Sequence, residues 1–270
     1  MTCTLVTCYY PLKSKYPSEQ YLRWATDFLR LDASIVLFTT PELAGLFKEI
    51  RKKVKPVETH YAFHIVEMRF EELDAWAYKS EWIKHHSLDP EKDTHSPELY
   101  AIWAQKAFFV KRAIDLNIFG TNYFFWCDIG AFRNGLDPVI QTSFPSVRHL
   151  PVDRILMSSV GPSLPGDNQV HSDGIRGDFL KVNRIVGGLW GGSAVACIRW
   201  LHTYKSMLER YFAAGRFAGK DQSVMLSAYL KDRTSALIVK STLPNIDIWF
   251  FLTHLCSNKD VRYELDASYL

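Results

Sequence analysis

The stretch Asn122-Tyr123-Phe124-Phe125-Trp126-Cys127 is apolar and aromatic almost throughout and stops abruptly at Asp128-Ile129-Gly130. A run without polar alternation, bounded by turn-forming residues, reads as a strand buried on both faces of a parallel sheet. An acid at the end of such a strand is delivered to the carboxyl edge of the sheet, where open α/β folds bind their ligands. Asp128 is a hard oxygen donor suited to Mg²⁺ or Mn²⁺ and to the neighbourhood of phosphates. Gly130 lets the backbone turn sharply and come close to a ligand. The same residue types also close ordinary turns, and spacing alone does not choose between the two.

Working outward, the residues before this strand predict a helix from Pro97 to about Asn117, with Leu99, Ile102, Trp103, Lys106, Phe109, Val110 and Ala113 at helical spacing. Further upstream, residues 4–10 form a β-rich run stopped by Pro11, and Ser18 is placed to cap a helix reaching about Arg30. Residues 34–39 are a second strand, Pro41-Glu42 opens the next helix with proline in its first turn, and residues 63–66 are a weaker third strand. Strand, helix, strand, helix, strand predicts an α/β fold built on a mostly parallel, doubly wound sheet with flanking helices. Downstream, residues 155–159 read as a strand and 160–178 as a long loop rich in Gly, Pro, Asp and Ser. A short strand is expected over 184–189, a helix from Gly191-Gly192 to about Ala214, and another from Lys220-Asp221-Gln222. Residues 236–239 and 246–252 are expected to be closing strands.

A length of 270 residues suits a single domain with one substantial core. Within it, residues 1–135 and 136–270 are expected as two parts of one fold. A net charge of +3 is too small to suggest nucleic-acid binding. The only basic cluster, Arg51-Lys52-Lys53-Val54-Lys55, falls at a helix end, where cations complement the helix dipole; weak contact with an anionic membrane surface is the alternative. Cys3, Cys8, Cys127, Cys197 and Cys256 form no CxxC pair and no metal-ligand spacing, so packed, reduced thiols are expected. The chain opens directly on strand-forming residues and has no apolar run near the ~18 residues of a membrane span, which gives the expectation of a cytoplasmic location, with the inner membrane surface as the variant of it.

Two further motifs carry chemistry. Gly187-Gly188-Leu189-Trp190-Gly191-Gly192-Ser193 leads into an apolar helix and would let backbone N–H groups face an anion or a sugar hydroxyl. It matches neither GxGxxG nor a P-loop, and small residues serve close packing equally well. Gly219-Lys220-Asp221-Gln222-Ser223 places an acid at a helix start, where it also serves as a cap. His254, on a late apolar run, offers an imidazole to a metal or to the core. The pairs His85-His86 and His60-His64 lack an acid at metal-site spacing.

Taken together, Trp103-Ala104-Gln105-Lys106, Asn117-Ile118-Phe119, Tyr123 to Gly130 with Arg133, Gly187 to Gly192 and Asp221-Gln222, in that order, resemble the bacterial HtrL/YibB family. The opening Val6-Thr7 strand with Tyr9-Tyr10 fits as well, so the resemblance covers most of residues 1–230. That family occurs among surface-polysaccharide genes and is similar to GT-A glycosyltransferases, which implies a nucleotide-diphosphate-sugar donor, a carbohydrate acceptor and Mn²⁺ or Mg²⁺. On that basis Thr7, Tyr9 and Tyr10 would hold the nucleoside, Asp128 with His254 the metal, and Lys106 and Arg133 would face the phosphates. Gly188, Trp190 and Gly191 would shape the sugar pocket, and Asp221 with Gln222 would be catalytic. The Asp-Gln pair resembles several retaining families, which favours retention over inversion. One departure matters: Trp126 stands where GT-A enzymes carry the first acid of D-x-D, so it can only pack or stack. A sugar nucleotidyltransferase and a non-catalytic carbohydrate-binding protein are the rival readings. The first usually has a Gly-rich basic loop after its first strand, and residues 10–15 here contain no glycine.

Overall fold

A computed structural model describes residues 3–55, 62–243 and 245–270; His60 lies outside them. Eight strands form one mixed sheet among the described residues: β1 (Cys3–Tyr9), β2 (Ser34–Thr39), β3 (Phe63–Glu67), β4 (Tyr123–Cys127), β5 (Ile155–Ser158), β6 (Leu189–Ser193), β7 (Ala236–Ser241) and β8 (Tyr263–Leu265). Their spatial order is β3-β2-β1-β4-β6-β5-β7-β8. The first four strands in that order are parallel throughout. β6 then runs antiparallel to both neighbours, β5 and β7 are parallel, and β8 closes the edge antiparallel. The expectation of an α/β fold on a mostly parallel sheet with flanking helices therefore holds, and the antiparallel pairings are those of β6 and β8.

The helices are α1 (Ser18–Phe28), α2 (Pro41–Val54), α3 (Lys79–His86), α4 (Pro97–Leu116), α5 (Pro138–Ser143), α6 (Ala194–Ala213), α7 (Asp221–Lys231) and α8 (Phe251–Leu255). One face of the sheet packs against α4, α6 and α7, the other against α1, α2 and α8. Strand alternation assigns the side chains: Val6 and Cys8 of β1 with Phe124 and Trp126 of β4 go to the α4 face, and Leu5, Tyr9, Phe125 and Cys127 go to the other. The rings of Phe124, Phe125 and Trp126 are fully buried, each contributing about 1.5–3 kcal/mol of hydrophobic stabilisation. Ser96 caps α4 through Leu99 N–H, and Asn117 ends it in the left-handed region at φ 34°.

Three local expectations are corrected. Residues 189–193, not 184–189, form the strand, and α6 starts only at Ala194, capped by Ser193. The glycines there serve packing: a Cβ on Gly191 would clash with the edge of the Phe125 ring and lie 2.8 Å from the Phe124 carbonyl, and one on Gly192 would lie 3.0 Å from the Arg154 carbonyl. Residues 246–252 are not a strand; a turn of 3₁₀ helix runs into α8, whose Phe251 and Leu252 seal the sheet. Ser18 is the first helical residue of α1 rather than its cap.

The basic cluster also divides. Arg51 turns inward and donates to the carbonyls of Leu29 and Leu31, while Lys55 pairs with Asp32. Lys52 and Lys53 remain exposed. All five cysteines are free and buried, and burial alone pushes the Cys256 thiol up to about 12. No helix among the described residues is long and apolar enough to cross a membrane.

Candidate functional site

β1 leaves the sheet edge toward α1 on one face, whereas β4 is entered from α4 on the other. In open α/β sheets ligands bind outside the carboxyl ends of the strands where the strand order reverses, here between β1 and β4. A cleft of about 250 Å³ lies there, with Cys8, Tyr9 and Tyr10 from the end of β1 and Trp126, Asp128 and Gly130 from the end of β4. Its remaining wall comes from the stripe Leu99, Ile102, Trp103 and Lys106 of α4, from Leu12, Ser14, Ser18 and Tyr21, and from Arg133. Among the described residues, Asp128 is the only carboxylate on that wall.

Asp128 continues the alternation of Phe124 and Trp126 and so faces α4. Its side chain is 39% exposed, turned into the cleft. The Trp126 indole N–H donates to Asp128 Oδ1 at 2.8 Å, and the Trp126 ring stacks on Phe109, 6.0 Å away and 7° from parallel. Trp126 therefore packs, as expected of it, and also fixes the acid that follows. The Asp128 backbone N–H donates to the carbonyl of Gly188.

Lys106 reaches the same carboxylate from α4. Its ammonium lies 3.3 Å from Asp128 Oδ1, 2.9 Å from Asp221 Oδ2 and 3.3 Å from the Gly187 carbonyl. An ammonium has three N–H donors, and these three acceptors engage all of them. The lysine and Asp221 are buried, at 8% and 9% side-chain exposure. Burial alone would lower the Lys106 ammonium, but Asp128 and Asp221 outweigh it and hold it above its ordinary value. Burial raises the Asp128 carboxyl above its ordinary value, with Lys106 opposing and Asp221 reinforcing the shift. The glycine pair makes room for the carboxylates: a Cβ on Gly187 would stand 2.8 Å from Asp221 Oδ2, and one on Gly188 2.6 Å from Asp128 Oδ2. These glycines cradle the protein's own acids.

The anticipated residues thus separate into three groups. Tyr9, Tyr10, Lys106, Trp126, Asp128 and Arg133 meet in the cleft. Thr7, Gly188, Trp190, Gly191, Asp221 and Gln222 stand behind or beside it rather than on its wall. Thr7 and Trp190 are buried in the sheet, Trp190 opposite Trp126. Asp221 accepts from Lys106 and from the Gln222 N–H, and the Gln222 side chain donates to the Ile185 carbonyl. His254 does not line the cleft; on α8 its charged surroundings are Lys259, Asp137 and Asp247, and burial lowers its pKa. No group of three or more His, Cys, Asp or Glu side chains is placed to hold a metal among the described residues.

Sequence reasoning passed over several wall residues. Leu99, Ile102 and Trp103 were legible as one face of a helix, but not as a face turned to a cavity. The support of Arg133 was not legible. Its guanidinium is exposed and sits between Trp24 and Phe250, 5.3 Å and 4.9 Å from the ring centres, with Nε donating to the Gly130 carbonyl. Tyr9, Tyr16, Tyr21 and Trp24 form an aromatic group at the same lip. Comparison with known protein families and with curated proteins returned no match.

Proposed function

We propose that the chain is a glycosyltransferase of GT-A type, moving a sugar from a nucleotide-diphosphate-sugar to a hydroxyl of a carbohydrate acceptor. The observation that carries this reading is the delivery of Asp128, by a fully buried strand, onto the wall of a cleft at the carboxyl ends of β1 and β4. The aromatic residues Tyr9 and Tyr21 and the exposed guanidinium of Arg133 line the same cleft. Flat rings suit a nucleoside, and a planar cation suits the diphosphate. The parallel half of the sheet ends near residue 127, in keeping with a nucleotide-binding part over 1–135.

The divalent ion that the resemblance implies finds a poor fit. Both Asp128 oxygens lie within reach of Lys106, one also accepts from Trp126, and Asp221 is engaged by Lys106 and a backbone N–H. His254 faces other partners. No step is therefore assigned to a metal. Within this reading, Lys106, Trp126 and the Gly187-Gly188 cradle orient Asp128. Asp128 accepts a hydrogen bond from a hydroxyl of the sugar or acceptor, and its raised carboxyl suits it to take up the proton when the acceptor oxygen attacks. Asp221 positions Lys106 and does not reach the reacting atoms.

The withdrawn position of Asp221 favours, as a second reading, a carbohydrate-binding protein without transfer activity. Incubation with a panel of nucleotide-sugars separates the two. Slow release of free nucleoside diphosphate, reduced about 100-fold or more in Asp128→Asn, supports the transferase. Glycan binding with no release from any donor supports the binding protein and overturns the transferase.

A further inference from the structure

We propose that Lys106 stands in for the divalent ion at this site, and that the donor's diphosphate is held at the cleft mouth by Arg133 without a metal. The inference rests on the nucleotide-sugar reading above and settles where each end of the donor lies. Two carboxylates and one ammonium leave the group with one uncompensated negative charge, and of its two carboxylates Asp128 is the one open to the cleft. A divalent cation on Asp128 would need an oxygen at about 2.0–2.2 Å, from a carboxylate whose oxygens already face Lys106 and Trp126. It would sit beside the Lys106 ammonium and meet its repulsion. No second carboxylate on the cleft wall is available to offset that, because Asp221 faces the lysine from the far side.

The free positive charge lies elsewhere on the same wall. Arg133 pairs with no carboxylate among the described residues, and two aromatic rings hold its guanidinium in place. Lys13 and Lys15 are exposed on the loop whose Leu12 and Ser14 line the cleft. Cations at the mouth and one carboxylate within orient an asymmetric ligand. The anionic diphosphate meets Arg133, where bidentate contact is available, and the neutral sugar, rich in hydroxyl donors, points to Asp128. Charge on the departing diphosphate is then met by the Arg133 guanidinium, which two aromatic rings hold in place.

The test is calorimetric titration of ADP, CDP, GDP and UDP into the full chain, once in EDTA and once in excess Mn²⁺. At least one nucleotide is expected to bind with the same affinity in both, within about threefold, and about tenfold more weakly in Arg133→Ala. Arg133→Lys should recover only part of that loss, since an ammonium cannot make the bidentate contact. Both variants should remain folded at the titration temperature, because Arg133 is exposed and Arg133→Ala removes only its ring contacts and its bond to the Gly130 carbonyl. Binding that appears only with Mn²⁺, or tightens more than about tenfold with it, overturns the inference and leaves the nucleotide-sugar reading standing. An unchanged affinity in Arg133→Ala overturns the placement of the diphosphate. Failure of all four nucleotides to bind in either buffer overturns the nucleotide-sugar reading itself and this inference with it.

Discussion

The carboxyl end of β4 and the amino end of α7 each present an aspartate to the same lysine, yet the two acids have different prospects. Asp128 keeps more than a third of its side chain open to the cleft, whereas Asp221 is enclosed and spends its oxygens on Lys106 and the Gln222 N–H. Both sit beside glycines that a methyl group would push against them. The difference lies in what stands in front. β4 ends at the crevice between parallel strands, while α7 begins beneath α4 and α6, with Tyr204 of α6 and Met225 of α7 among its neighbours. One acid is thereby left open to the cleft and the other is spent on charge balance. A carboxylate earns a functional reading from its access, which residue type does not reveal.

Removing the shared lysine breaks the comparison most severely. Lys106→Met leaves two carboxylates near each other without a cation, and a loss of about 3–5 kcal/mol is expected from urea unfolding. Combining it with Asp221→Leu should return most of that loss, because the uncompensated buried charge goes with it. A single variant that unfolds at the parent's urea midpoint would show that the charge group does not hold these segments together.

A smaller effect sharpens the contrast through pH. The Asp128 carboxyl is raised in the folded protein. A raised group favours folding fully below its unfolded pKa, near 4 for aspartate, and this contribution disappears as pH rises through the folded value. Ionised Asp128 therefore costs stability at neutral pH. Asp128→Asn is expected to be no less stable than the parent at pH 7, and its stability should vary less above about pH 4. Urea midpoints taken across that range decide the matter, and a clear destabilisation at pH 7 contradicts the assignment. The pairing of preserved stability with lost activity is what a functional acid should show.

The smallest expected effect is at α8. His254→Gln should leave nucleoside diphosphate release within about threefold of the parent, since His254 does not line the cleft. A loss as large as that of Asp128→Asn would restore His254 to the site and, with it, the case for a metal.

Much of this organisation was written locally. β1, β2, α2 and α4 lie where apolar periodicity, Pro41 and Pro97 put them, and Asp128 lies at the strand end its sequence announced. β6 escaped because Trp190-Gly191-Gly192 lacks the side chains that mark a strand; Phe125 and the β5 backbone occupy their space. The apolar run ending at Leu252 mimicked a strand, because any short buried segment is apolar whether it extends or coils.

The amino-acid sequence alone determined that an oily strand would end in an acid at a sheet edge, since burying contiguous apolar residues is a local demand that neighbours in the chain satisfy together. Tertiary structure decided which acid stays open. Lys106 and Asp221 are 115 residues apart, and only the packing of α4, β4, β6 and α7 around one ammonium spends one carboxylate on charge balance and leaves the other open to the cleft.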